Sequence, residues 1–258
     1  MRAVMVCSLA MFLVPVAAVG APQDPDVRID PRADAAMRSM SDYLTSLGSF
    51  RFHGSSVTDV VTHDGQKIQV VAAQNVELKR PNRLRTERQD PRMDAVVRYD
   101  GRQLSVYGKR TGYYATAPMP PRIDDAVDVA RRRYGIDAPA ADLFGEHPYD
   151  TLMEDVVVGR YIGLEPIEGI PCHHLAFQGR DVDWQIWIED GERPLPRRYV
   201  ITSKHEPTQP EFGVMLTNWE PNARIADHDF VFQPPPGATR IELLSLTQPR
   251  SGRRGGAR

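Results

Sequence analysis

Three kinds of feature are scarce in this sequence: cysteine, an excess of charge of one sign, and long apolar runs. The 258 residues include two cysteines, Cys7 and Cys172, and 32 basic residues stand against 34 acidic ones. Two cysteines cannot form the framework of several disulfides that holds small secreted domains together. A balanced charge lacks the basic excess that is typical of nucleic-acid-binding proteins. We therefore expect a fold that depends on its apolar core, and no nucleic-acid partner.

Familiar catalytic motifs are absent as well. The sequence has no G-x-S-x-G elbow, no H-E-x-x-H zinc motif and no glycine-rich phosphate loop. The run of Cys172, His173 and His174 suggests metal or thiol chemistry. Neighbouring residues of a strand point to opposite faces, so the two histidines cannot easily share a metal ion, and no third ligand or orienting group stands at a supporting spacing. We therefore predict no catalytic residue, no metal and no cofactor.

The N-terminus carries the longest apolar run. Arg2 is followed by an apolar stretch over residues 3–19 and then by the small residues Gly20 and Ala21. This order is typical of a cleavable signal peptide, and the basic stop-transfer cluster of a retained anchor is missing. We expect residues 1–21 to be removed near Gly20 or Ala21 and the mature protein to be periplasmic. Loss of Arg2 changes the formal net charge from −2 to −3 and leaves Cys172 as the single cysteine.

A helix is predicted at the start of the mature chain. Asp30 suits an N-cap, Pro31 suits the first helical position, and apolar residues recur at helical spacing as far as Gly48. A second helical region is predicted from Arg122 to Met153. The acidic pair at residues 124–125 suits its N-cap, and glycine at position 135 suits a stop.

The rest of the chain alternates apolar and polar residues between turns that contain Gly or Pro. The pattern predicts about ten antiparallel strands, before and after the helical insertion. The last of them is expected at residues 229–233. A flat sheet of that size would leave an apolar face uncovered, so we expect a mainly β, α+β fold with a strongly curved sheet or incomplete barrel. We expect one domain over residues 30–246 and a disordered basic tail over residues 247–258.

Strand faces are rich in large apolar side chains. One face of residues 183–189 carries Trp184, Ile186 and Ile188, and the other carries Trp187. This surface is either an ordinary core beneath helices or a concave face that stays open to a hydrophobic ligand. The candidates for lining such a cavity are Trp184, Trp187, Trp219, Tyr107, Tyr113 and Phe177.

Two groups of arginines give a second functional alternative. Arg80, Arg83, Arg85 and Arg88 form one group, and residues 131–133 form the other. Solvated strand faces and charge at a helix C-terminus explain such groups in most proteins. The functional alternative is contact with anionic lipid headgroups or with a negatively charged partner, and hence peripheral membrane contact.

Three segments resemble a family of predicted periplasmic proteins of bacteria: residues 169–177, residues 181–202 and residues 229–238. More distantly, the order of a Trp187 strand, an acidic Gly turn, Pro-Leu-Pro and a basic strand ending at Arg198 is similar to the outer-membrane lipoprotein carrier (LolA/LolB-like) superfamily. The resemblance implies a half-barrel with helices as a lid over an apolar cavity that holds acyl chains. The functional arginine and cavity residues of that superfamily have no residue-by-residue match in this chain.

These observations give three hypotheses for function. The first is a non-catalytic periplasmic carrier of a lipid, a lipoprotein acyl chain or another hydrophobic molecule. The second is a sensory or interaction module that docks an envelope protein through basic clusters and edge strands. The third is an enzyme that uses Cys172, His174 or scattered carboxylates.

Overall fold

The computed structural model describes residues 28–136, 138 and 140–246. The predicted signal peptide (residues 1–21) and the predicted tail (residues 247–258) lie outside the described residues.

The first helix, α1 (Pro31–Ser46), begins where the sequence predicts it. The Asp30 carboxylate accepts the backbone N–H of Arg32 at 2.9 Å, which satisfies a donor that the helix itself leaves unpaired. One stripe of the helix is fully buried and consists of Ala33, Met37, Met40 and Leu44. The spacing of three and four residues turns this stripe towards a single surface.

One large curved sheet of thirteen strands forms the body of the protein. Its strands are β1 (Arg28–Ile29), β2 (Ser49–Val61), β3 (Lys67–Lys79), β4 (Arg83–Gln89), β5 (Asp94–Tyr99), β6 (Gln103–Gly108), β7 (Tyr113–Pro118), β8 (Val156–Ile167), β9 (Ile170–Gly179), β10 (Val182–Glu189), β11 (Pro196–Ser203), β12 (Glu211–Pro221) and β13 (Thr239–Arg240). Their order across the sheet is β1-β8-β9-β10-β11-β12-β2-β3-β4-β5-β6-β7-β13. The sheet is not closed, and only the two end strands pair in parallel.

The mainly β class and the curved, open sheet are confirmed, but the predicted number of about ten strands is wrong. Residues 83–99 form two strands, because the Asp90 carboxylate accepts the N–H groups of Arg92 and Met93 and closes a turn there. β1 and β13 are two residues long, so they carry no alternating pattern. The strand predicted at residues 229–233 is also wrong, because the chain forms a 3-10 turn over Asp227–Phe230.

Three helices cover one face of the sheet, which we call the inner face. The insertion supplies α2 (Ile123–Tyr134), a 3-10 turn (Ala141–Leu143) and α3 (Pro148–Met153). The predicted stop at Gly135 is present, with φ of 65°, whereas the N-cap is Arg122 and the acidic pair lies in the first turn. Side chains of α1, α2 and the inner face form one continuous core. The inner face is thus largely filled by the protein's own side chains.

The C-terminal segment crosses the opposite, outer face. The Lys79 ammonium donates to the carbonyl of Ile225 at 3.2 Å, and Arg98 Nε donates to the carbonyl of Asp229 at 3.1 Å. Farther along, Phe232 packs against outer-face rings of β6 and β7. The segment then pairs with β7 as β13. We call residues 239–246 the C-terminal strap.

Candidate functional site

Three of the aromatic candidates, Phe177, Trp184 and Trp219, lie on the inner face. Phe177 and Trp184 stack with ring centroids 4.1 Å apart, and both are buried. Trp219 lies beside Phe50 and Phe52, and its indole N–H donates to the carbonyl of Pro196 at 3.1 Å. These side chains belong to, or pack against, the main core.

The other candidates lie elsewhere. Trp187 is buried on the outer face, where Cys172 and Val200 form a small second core with it. Tyr107 contacts Phe232 on the outer face, at a centroid distance of 6.1 Å. Tyr113 lies at the β7 edge and is 49% exposed. The proposed role of the six aromatics in lining a ligand cavity stays a prediction, and the structure groups only Phe177, Trp184 and Trp219 on the face beneath the helices.

Cys172 has no catalytic partner among the contacts of the described chain. The thiol is fully buried and donates to the carbonyl of Ile170 at 3.3 Å. The pKa of this thiol is raised above its ordinary value, mainly because the thiol is buried. His174 instead bonds Glu165 and Gln185, at 3.1 and 3.0 Å. Within the described residues, no group of three or more His, Cys, Asp or Glu side chains is placed to hold a metal ion.

Polar contacts attach α2 to its own insertion. Arg122 pairs with Glu146 at 2.6 Å, the Asp124 carboxylate accepts the N–H of Glu146 at 3.0 Å, and Arg131 pairs with Asp142 at 3.4 Å. In the described part of the chain, no hydrogen bond or ion pair joins a side chain of α2 to the inner face of the sheet. The side chains that α2 buries against that face are apolar: Ile123, Ala126 and Ala130.

Arg80 links the sheet to the helices. Its guanidinium donates to the carbonyls of Leu44 in α1 and Phe144 in the insertion, at 3.4 and 3.5 Å. Desolvation lowers the pKa of this arginine below its ordinary value. The other arginines of its group contact neighbouring side chains: Arg83 bonds Asn82, Arg85 pairs with Glu77 and Glu87, and Arg88 pairs with Asp90. This group therefore does not present one free basic patch.

A cavity of about 490 Å³ opens at the β7 end of the sheet, and we call it the edge cavity. Its walls are the end of β7, the C-terminal turn of α2 and the C-terminal strap. The lining residues are Thr116, Ala117, Pro118, Arg133, Tyr134, Arg240, Ile241, Glu242, Leu243 and Ser245. Ala117 belongs to the main core, and Tyr134 and Leu243 pack against it. The edge cavity is therefore bordered by three side chains that belong to or pack against the main core.

A second cavity, of about 340 Å³, lies where β2, β3 and β4 meet the bulged part of β12. It is lined mainly by charged and amide side chains: Arg51, His53, Asn75, Glu77, Arg85, Glu87, Asn218 and Glu220, with Phe52 and Val76. Several of these charges neutralise one another, as in the pairs of Arg85 with Glu77 and Glu87. Its polar walls are unsuited to an acyl chain.

No sequence pattern predicted the edge cavity or the strap. Arg133 stands out in the sequence only as one residue of the basic run at 131–133, and Arg240 belongs to no predicted element. A short apolar run with flanking charges, residues 240–246, is visible in the sequence, but its position against α2 depends on a contact between distant parts of the chain.

None of the helices in the described residues is long and apolar enough to cross a membrane. No curated protein sequence matches this chain. Solved structures match it distantly. An uncharacterised conserved protein from Thermus thermophilus has 10% identity and a TM-score of 0.47, with coverage of 82% of this chain and 99% of that one.

Two further solved structures match this chain at a similar distance. LprF from Mycobacterium bovis has 15% identity and a TM-score of 0.45, with 77% of this chain and 97% of that chain covered. A LolA superfamily protein from Nitrosomonas europaea has 11% identity and a TM-score of 0.38, with 78% and 97% covered. At the level of sequence, residues 33–244 match the model of one family, described as predicted periplasmic protein (DUF2092). The chain belongs to this family of predicted periplasmic proteins.

Proposed function

We propose that this protein is a non-catalytic periplasmic binding protein that shelters the apolar part of a lipid, a lipoprotein acyl chain or another hydrophobic molecule between α2 and the sheet. One observation carries the proposal: in the part of the chain that the structure describes, α2 packs on the sheet through apolar side chains, and a cavity opens beside its C-terminal end. Membership of a family described as predicted periplasmic supports the location.

The chemistry of this interface favours reversible opening. Apolar contacts are non-directional, so separation of α2 from the sheet leaves no hydrogen-bonding group of that helix–sheet interface unpaired, and the surfaces can pack again around an apolar ligand. Ala126 and Ala130 are small, so their removal from the sheet exposes little apolar area. α3, in contrast, is anchored: the N–H of Tyr149 donates to Ser41 of α1 at 3.2 Å. We expect α2 to move while α3 stays in place.

The first test is recovery of the native ligand. The protein is purified from the periplasm without detergent and measured by native mass spectrometry before and after organic extraction. We expect an extractable hydrophobic adduct, and we expect the extracted protein to take up a pyrene-labelled fatty acid from phospholipid vesicles. An empty protein that takes up no acyl probe would contradict the proposal.

A reversible lock on α2 makes the test specific. A Cβ atom at Gly145 would lie 3.2 Å from Cγ of Asp124, which is the position that the sulfur of a cysteine at residue 124 would occupy, so a disulfide can join the two residues. The variant is Asp124→Cys/Gly145→Cys in a Cys172→Ser background. It ties the first turn of α2 to the segment that leads into anchored α3.

We expect the oxidised double variant to lose uptake of the pyrene probe and the reduced form to regain it. The matched control is Cys172→Ser alone, which should take up the probe equally with and without reductant. Equal uptake by the oxidised and reduced double variant would show that α2 does not gate a hydrophobic site.

A further inference from the structure

We propose that the edge cavity binds the anionic headgroup of a single-chain amphiphile, with the acyl chain directed under α2. This inference rests on the proposed function, because it names the chemical class of the hydrophobic ligand. A fatty acid carboxylate and a lysophospholipid phosphate share the required chemistry, which is one negative headgroup on one acyl chain.

The charges of the cavity point to an anion. Arg133 from the last turn of α2 and Arg240 from the strap both line it, and Glu242 is the one acidic side chain of the lining. Neither guanidinium forms an ion pair with a carboxylate of the described chain. Each has a lesser contact: Arg133 lies over the ring of Tyr134 at 5.4 Å, and Arg240 donates to Thr116 Oγ1 at 3.3 Å. The lining thus has an excess of one positive charge.

The neighbouring arginines of α2, unlike Arg133, form ion pairs with carboxylates. Arg131 pairs with Asp142, and Arg132 pairs with Asp128 at 3.3 Å. Of the three consecutive arginines, only Arg133 lines the cavity. Guanidinium groups bind carboxylate and phosphate through paired N–H donors, so Arg133 and Arg240 suit either headgroup.

The inner wall of the cavity suits the chain of the amphiphile. Ala117, Pro118, Tyr134 and Leu243 are apolar, and three of them contact or belong to the main core. The volume of about 490 Å³ falls within the range of small-molecule sites, roughly 300–1,000 Å³. A lining that combines two arginines with apolar side chains that contact the core fits a molecule that is anionic at one end and apolar along the rest.

The strap forms one wall of this site. It is held at its start by pairing of Thr239 and Arg240 with β7, and near its end by the N–H of Leu246, which donates to the carbonyl of Arg133 at 2.8 Å. Leu243 packs on the core between these two attachments. We infer that the acyl chain takes the place of Leu243 and that Arg240 stays in position beside β7, because its strand pairing is independent of Leu243.

The test compares binding of palmitate, palmitoyl-lysophosphatidylglycerol and uncharged monopalmitoylglycerol by fluorescence displacement. We expect wild-type protein to bind at least one anionic probe about tenfold or more tightly than the uncharged one, since hydrogen bonds to charged groups are the stronger class. Preference for palmitate would assign a carboxylate ligand, and preference for the lysophospholipid would assign a phosphate.

Charge-removing variants test the site, because loss of a positive charge and loss of a negative charge should change the affinity in opposite directions. Arg133→Gln and Arg240→Gln should each weaken binding of the preferred anionic probe by roughly tenfold, and Glu242→Gln should strengthen it. The matched control is Arg132→Gln, which removes the same charge from the same helical turn outside the cavity, and it should change affinity less than twofold. Binding of the uncharged probe should be the same in all variants.

The possible failures are distinct. Equal affinity for charged and uncharged probes, with no effect of Arg133→Gln or Arg240→Gln, would overturn this inference and leave the proposed function standing. An equal loss from Arg132→Gln would also overturn it, because the effect would then come from general charge. Absence of binding of all three acyl probes would overturn the proposed function itself.

Discussion

The imidazole of His174 stacks on the indole of Trp187, with ring centroids 4.0 Å apart and planes inclined by 12°. Both rings bond the same carboxylate: Glu165 accepts the indole N–H at 2.9 Å and lies 3.1 Å from His174 Nδ1. On the other side, the Arg198 guanidinium lies over the indole at 4.8 Å. The bonds from Trp187 and His174 lower the pKa of Glu165 below its ordinary value. This carboxylate therefore joins three strands of the outer face, β8, β9 and β10.

Glu165→Gln should lower the free energy of unfolding at pH 7 by about 0.5–1 kcal/mol, a figure that allows for solvent screening because the side chain is 45% exposed. Because folding lowers the pKa, the ionised carboxylate stabilises the protein above its unfolded pKa of about 4.3. That contribution disappears as the pH falls through the lower folded pKa. Urea unfolding between pH 7 and pH 3.5 should show the difference between wild type and variant shrinking. Glu192→Gln, on an exposed turn, is the control and should leave the free energy of unfolding unchanged over this pH range.

The Cys172 thiol should be unreactive in the folded protein. Full burial excludes reagents, and the raised pKa keeps the thiol in its protonated, non-nucleophilic form. We expect Ellman's reagent to label Cys172 of native protein at pH 8 at least a hundredfold more slowly than Cys172 of protein in denaturing urea. Rapid labelling of native protein would argue against this burial and would revive the hypothesis of thiol chemistry.

Local alternation predicted the faces of β10 correctly. Trp184 is on the inner face and Trp187 on the outer face, because adjacent residues of a regular strand point to opposite sides. Alternation fails in β12, where the register shifts between Thr217 and Glu220 and Asn218 has φ of 52°. This bulge turns Trp219 towards the inner face that Leu216 also occupies.

Contacts between distant parts of the chain determine the surroundings of the other candidate residues. Tyr107 alternates regularly in β6, yet its surroundings are fixed by Phe232, which reaches it from the C-terminal segment. The edge cavity likewise requires the strap to pass α2. No periodicity within a short window encodes such a contact, so the sequence could predict apolar strand faces and helices over them, but not where the sheet would leave an opening.

The close approach of β1 to β8 gives a prediction about packing. A Cβ atom at Gly159 would lie 2.8 Å from Cε1 of Phe177 and 3.1 Å from Cγ2 of Ile29. Gly159→Ala should therefore lower the free energy of unfolding by about 1–3 kcal/mol, because neither neighbour can move without disturbing the core. Gly48→Ala is the control, since a Cβ there meets no atom within 4 Å. Equal stability of the two variants in urea would show that Phe177 and Ile29 do not pack around Gly159 as described.

The anchor between α1 and α3 gives a prediction with a definite dependence on pH. Tyr149 donates its hydroxyl hydrogen to the Asp34 carboxylate, which also accepts a bond from Arg38 Nε at 2.8 Å. The Arg38 and Tyr149 bonds, in that order, lower the pKa of Asp34. Tyr149→Phe and Asp34→Asn should each lower the free energy of unfolding at pH 7 by about 1 kcal/mol, since each removes hydrogen bonds to a charged group that is only one-third exposed.

The folded pKa of Asp34 is the lower one, so its stabilising effect is complete above the unfolded value of about 3.9 and is lost as the pH falls below it. The deficit of Asp34→Asn, measured by urea unfolding, should accordingly be constant from pH 7 to pH 5 and decline towards pH 3. Tyr43→Phe removes a hydroxyl from the same helix and should leave stability unchanged. The same anchor bears on the disulfide that ties α2 to the segment before α3. If that disulfide blocks α2 only because α3 is anchored, adding Tyr149→Phe to the oxidised Asp124→Cys/Gly145→Cys protein should restore part of the uptake of the pyrene probe. The reason is that α2 and α3 would then move together.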